Sequence, residues 1–171
     1  MALNLQKAKA RRESGAFVPL PVSVLNHGNY LSLSPKAVKL LLDLCVQLRF
    51  KKGGTINNGD LSTAWKLMQP RGWVSKQTLQ AALDELLHFK FLLRTRQGGR
   101  NLCSLYAVTW WAIDECDGKL DVGSTRAPSN EWQQEAASWK PRNGKKSLPR
   151  FLTPPAPISG AIGSPREVKQ P

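Results

Sequence analysis

Apolar residues recur along the middle of this chain at two distinct periods. Leu79, Ala82, Leu83, Leu86 and Leu87 are spaced by three and four, which draws one stripe down a helix. Ser75 stands at its N-cap position. The period then shortens to two. Phe91 to Arg96 predicts a strand, Gly98-Gly99 a turn, and Leu102 to Thr109 the return strand. Upstream, Ser34-Pro35 is a helix start, a capping side chain followed by proline at the first helical position. Val38, Leu41, Leu42, Cys45 and Leu48 continue it as a buried helix to about Arg49. KKGGTINNG predicts a turn with one short strand around Thr55-Ile56. Asn58 is expected to cap a second helix, from about Asp60 to Met68, with Leu61, Ala64, Trp65 and Met68 inward. Pro70 and Gly72 break the chain before Ser75, with Trp73 expected to pin that loop.

The flanks are less regular. Phe17 to His27, with two prolines and β-branched residues, predicts an extended piece laid on the domain. After the return strand, Asp117-Gly118 is a turn. Ser129 is expected to cap a short helix whose Trp132, Ala136 and Trp139 dock on the domain. The divisions that result are a basic flexible arm (1–16), a folded domain (17–113), an acidic turn and docked helix (114–139), and a basic proline-rich tail read as disordered (140–171).

Charge adds a partner class to this outline. The net charge is +13, distributed unevenly. Residues 34–113 carry twelve Lys/Arg against four Asp/Glu, net +8, whereas residues 114–139 carry two against six, net −4. The arm and the tail are basic again. A chain this basic is drawn to polyanions, of which nucleic acid is the usual one. Cys45, Cys103 and Cys116 form no CxxC pair and are expected to be reduced thiols of a cytoplasmic protein. No apolar run is long enough to predict a membrane span.

Catalytic signatures do not emerge. His27 and His88 lack partners at ligand spacing, and no phosphate-binding glycine loop or nucleophile elbow occurs. The acidic knot Asp114, Glu115, Asp117 matches no calcium loop. The sequence therefore predicts neither an enzyme nor a cofactor.

The element order, helix, short strand, helix, turn, helix, strand, hairpin tip, strand, is that of an α+β winged helix-turn-helix. In that fold the third helix enters the major groove by its N-terminal half. With Leu79, Leu83 and Leu86 buried, Gln77 and Ala81 point outward and Gln80 lies near that edge. Gln77 and Gln80 can read adenine, Lys76 guanine or phosphate, and Ala81 is small enough for close approach or a thymine methyl. Asp84 and Glu85 would repel phosphate further along. Ser75 and Thr78 at the helix start, Lys51, Lys52 and Arg71 in the adjoining loops, and Arg94, Arg96 and Arg100 around the hairpin tip are candidate backbone contacts. Strict alternation would put Arg94 and Arg96 on one face.

The run from NNGDLSTAWKLM through RGWVSKQTLQAALDELLHFKFLLRTRQGG to LYAVTWWAIDECDGKLDVGSTRAPSNEW resembles the small winged-helix proteins of bacteriophages, plasmids and integrated elements. These are related to the DNA-binding domains of phage and plasmid replication initiators. The resemblance covers roughly residues 17–133. It implies a winged-helix fold, DNA binding and a phage or bacterial setting, without fixing one biological role. The expectation is sequence-specific binding of double-stranded DNA, as a transcriptional regulator or replication accessory. A homodimer and a replication or transcription protein are compatible further partners. The competing reading is a protein-interaction module, an adaptor or host-directed inhibitor on the same scaffold.

Overall fold

Capping chemistry starts each of the two long helices among the described residues. The computed structural model describes residues 17–51 and 54–140. The arm at 1–16, Lys52 and nearly all of the tail lie outside the described residues. Helix α3 (Pro35–Cys45) begins where the Ser34 hydroxyl accepts the Ala37 amide at 3.3 Å, with proline in its first turn. Helix α5 (Lys76–His88) begins in the same way, the Ser75 hydroxyl accepting the Thr78 amide at 3.3 Å. It ends in a Schellman-type turn. Lys90 adopts φ 57° and the Phe91 amide reaches back to the Leu86 carbonyl.

Before α3, among the described residues, lie two single-turn helices, α1 (Val22–Leu25) and α2 (Gly28–Leu31). The extended reading of Phe17 to His27 is thus corrected. Extended backbone stops at Pro21, the residue before α1, and His27 caps α2 by accepting the Asn29 amide through Nδ1. Proline restricts its predecessor and leaves the residues after it able to turn.

Helices α3 and α5 pack against one another and against a three-stranded antiparallel sheet. Its strands are β3 (Leu61–Ser62), β4 (Leu92–Arg96) and β5 (Leu105–Val108), in the order β3-β5-β4. Leu40, Leu41, Leu44, Leu86, Phe91 and Val108 are almost completely removed from water. Burial of each such side chain stabilises the fold by about 1.5–3 kcal/mol. The buried stripe of α3 is turned from the expected one, so that Leu42 is exposed and the acidic Asp43 is buried.

The second helix is also corrected. The spacing predicts a helix from about Asp60 to Met68, but only α4 (Trp65–Met68) is helical. Leu61 and Ser62 instead pair with Tyr106 and Leu105. The predicted strand near Thr55 exists as β2 (Gly54–Thr55), yet it pairs with β1 (Phe50–Lys51) in a separate small sheet. Asn58 is no helix cap. Its fully buried side chain accepts the Val108 amide and donates to the Val108, Trp111 and Ala112 carbonyls. It acts as a strand neighbour to the end of β5 and leaves no capping oxygen for a helix.

Residues after Ile113 return across the N-terminal helices. Trp132 is buried with His27 edge-on to its ring, and the Asn29 amide group donates to the Trp132 and Gln134 carbonyls. Ser129 caps no helix here. A single 3-10 turn covers Glu131–Gln133, and the chain then runs on to Trp139, which packs on His88. Among the described residues no helix is long and apolar enough to cross a membrane. The architecture is therefore mixed α+β with two small antiparallel sheets.

Candidate nucleic-acid interface

The surface of α5 divides cleanly. Leu79, Ala82, Leu83 and Leu86 enter the core, while Lys76, Gln77, Gln80 and Ala81 in its first half are exposed. Gln77 and Ala81 make no side-chain polar contact with any described residue. Gln80 donates to Asp84 at 2.8 Å, one turn on. The Lys76 ammonium stands 5.7 Å from the centre of the Trp65 ring. Trp65, Lys76 and Gln80, with Thr63, Leu79 and Leu83, line an open cleft of about 260 Å³ between the start of α4 and the first half of α5. Trp65, expected in the core, is therefore half-buried at its edge. Ser75 and Thr78 are half-exposed and engaged in the cap.

Glu85 does not face outward with Asp84. It is buried, and its carboxylate accepts the amide and hydroxyl of Ser34 at 2.6 Å each. The acidic half of α5 thus presents one carboxylate to solvent where the sequence suggested two.

The connection from α4 to α5 is a rigid loop built on Asp43. A 3-10 turn (Gln69–Arg71) ends at Gly72, whose φ of 85° is open to glycine at little cost. The Asp43 carboxylate receives Lys39 at 2.6 Å, Arg71 at 2.9 Å and the Trp73 indole N–H at 2.8 Å. Burial pushes the Asp43 pKa up, but the hydrogen bonds from Lys39, Trp73 and Arg71 outweigh it and hold the carboxyl below its ordinary value. Arg71, though exposed, is thereby bound through Nε to Asp43 of α3. Val74, the next residue but one after Gly72, is 94% exposed.

The hairpin carries its arginines differently from strict alternation. A bulge at Thr95 sets Arg94 opposite Tyr106 and Arg96 opposite Leu105. Those two partners are adjacent on β5, so Arg94 and Arg96 lie on opposite faces of the sheet. Thr95 anchors the bulge by donating to the Gly59 carbonyl at 2.6 Å. Arg94 is exposed, lies over the Tyr106 ring at 6.0 Å and donates to Gln97. Arg96 is turned back, donating to the carbonyls of Cys103 and Lys119. The tip also shifts. Gly99 pairs with Leu102, which puts Arg100 and Asn101 at the turn, Asn101 with φ 62°. Gly98 is needed for close approach, since a Cβ there would lie 2.6 Å from the Ser104 nitrogen.

Lys51 is exposed at the end of β1 and lines a second cleft, about 470 Å³, with Arg49, Asp60 and the acidic knot. Asp114 of that knot serves the fold, accepting the Asn58 amide at 2.7 Å, and Lys119 pairs with Asp60 at 2.8 Å. Cys116, partly buried beside Asp60 and Asp114, has its thiol pushed up to about 11. The candidates therefore separate into a cluster on the first half of α5, exposed cations at Arg94 and Arg100, and a Lys51 set among carboxylates. The fixed loop and Val74 had no sequence signal beyond Trp73. Comparison with known protein families, curated proteins and solved structures yields no match to this chain.

Proposed function

We propose that the chain is a winged helix-turn-helix protein that binds double-stranded DNA in a sequence-specific manner. Helix α5 would enter the major groove by its N-terminal half. The β4–β5 hairpin would serve as the wing, with Arg94 and Arg100 toward the phosphates. The biological setting that fits is a transcriptional regulator or replication accessory of a phage or other mobile element. The observation that carries the reading is the first half of α5. A helix buried on one side shows Lys76, Gln77, Gln80 and Ala81 on the other, just after a helix and rigid turn and just before a hairpin. These side chains match the hydrogen-bonding and apolar features of base edges. The net +8 of residues 34–113 supplies attraction for the backbone.

The test is affinity for duplex DNA across a salt series. If about five phosphates are neutralised, log affinity falls against log salt with a slope of roughly −4 to −5. A slope near zero would instead favour a protein-interaction module on the same scaffold.

A further inference from the structure

Val74 is the most exposed large hydrophobic residue among those described, and it stands immediately before the cap of α5. Both of its neighbours are fixed. Trp73 is buried with its indole N–H on Asp43, and Ser75 closes the first turn of α5. The backbone at Val74 therefore has little freedom, and a β-branched side chain has few rotamers of its own. An apolar group held rigidly in water loses little entropy when a partner covers it.

The chemistry of a valine narrows what that partner offers. It neither donates nor accepts a hydrogen bond, so it cannot read purine or cytosine edges, nor engage phosphate. In the major groove the one apolar mark on a base edge is the 5-methyl group of thymine. Resting on the proposed DNA-binding reading, we infer that Val74 is a specificity-determining residue that packs on a thymine methyl beside the bases met by Gln77. The loop held by Asp43 is then a device that aims an apolar contact, and α5 supplies the polar ones.

The experiment uses the full chain and a duplex enriched from random sequence by the wild-type protein. Each thymine of the enriched site is replaced in turn by deoxyuridine, which removes the methyl group and keeps the pairing edge. Wild type should lose roughly fourfold in affinity at one thymine, the worth of one buried methyl. Val74→Ala should bind the parent duplex more weakly and show no further loss at that thymine. Melting curves of Val74→Ala should match wild type, because the side chain touches solvent. Indifference of the wild type to every deoxyuridine overturns the inference, as does full retention of the sensitivity in Val74→Ala; either leaves duplex binding itself intact. An absence of duplex binding at low salt overturns the proposed function and this inference with it.

Discussion

Glu85 of α5 accepts two hydrogen bonds from Ser34, the residue that caps α3. One carboxylate thus fastens the start of one long helix to the C-terminal part of the other. The Ser34 hydroxyl is at once donor to Glu85 and acceptor from Ala37, so the cap and the interhelical contact are one network. Glu85→Ala leaves a partly buried amide and hydroxyl without their acceptor and should cost about 2 kcal/mol. Asp84→Ala, one residue away and half-exposed, should change stability by less than about 0.5 kcal/mol. Urea titrations of both variants check this; equal losses would show that the Ser34 contact carries no special weight.

Asp43 ties stability to pH. Its folded-state pKa lies below the ordinary value of 3.8, despite burial, because Lys39, Trp73 and Arg71 donate to the charged form. A depressed carboxyl contributes stability that is present above the unfolded pKa and lost as pH falls through the folded one. Thermal stability should therefore decline below about pH 4. Asp43→Asn should be destabilised by about 2 kcal/mol at neutral pH and show a shallower acid decline. A decline equally steep in both proteins would assign the acid sensitivity to other carboxylates.

Arg94 and Arg96 should part company. Arg94 is exposed on one face of the hairpin, whereas Arg96 holds the carbonyls of Cys103 and Lys119 on the other. Arg94→Ala should weaken binding to all duplex sequences alike and reduce the salt slope by about 1, with little change in melting. Arg96→Ala should lower stability by about 1 kcal/mol through the lost hydrogen bonds. Its effect on DNA should be the smaller of the two. Parallel binding and melting measurements decide it, and the reverse pattern would place Arg96 on the backbone.

Periodicity made α5, its cap and the two hairpin strands legible in the sequence, because each is set by local rules that neighbours in the chain report. Several of the departures involve long-range partners. Asn58 looks like a helix cap until Val108 comes to lie beside it. Leu61 fits an amphipathic helix and a strand equally, and β5 decides for the strand. Glu85 looks like surface charge until Ser34 is placed against it. Arg94 and Arg96 look co-facial because a bulge leaves no trace in spacing alone. The exposed set on α5 was readable for the opposite reason, since exposure needs only the stripe to be known. Val74 was not, because its setting depends on Asp43, thirty-one positions earlier.

Gln77 and Gln80 differ in a way that should separate their effects on sequence reading. Both are exposed in the first half of α5, but among the described residues only Gln80 has a partner, Asp84 at 2.8 Å. A glutamine reads adenine by giving one hydrogen bond and accepting another. Gln77 can do so without breaking anything, while Gln80 must first release Asp84. Gln77→Ala should therefore cost about 1–3 kcal/mol against the preferred site. Gln80→Ala should cost less, and Asp84→Ala should strengthen binding, both by freeing Gln80 and by removing a negative charge near phosphate. Binding to random duplex should hardly respond to either glutamine change, since neither residue is charged. The measurement compares selected and random duplexes for the wild type and the three variants, with melting curves as control. If selected and random affinities fall together for Gln77→Ala, the residue supports the fold or touches the backbone. If neither moves, α5 does not read bases through its first turn.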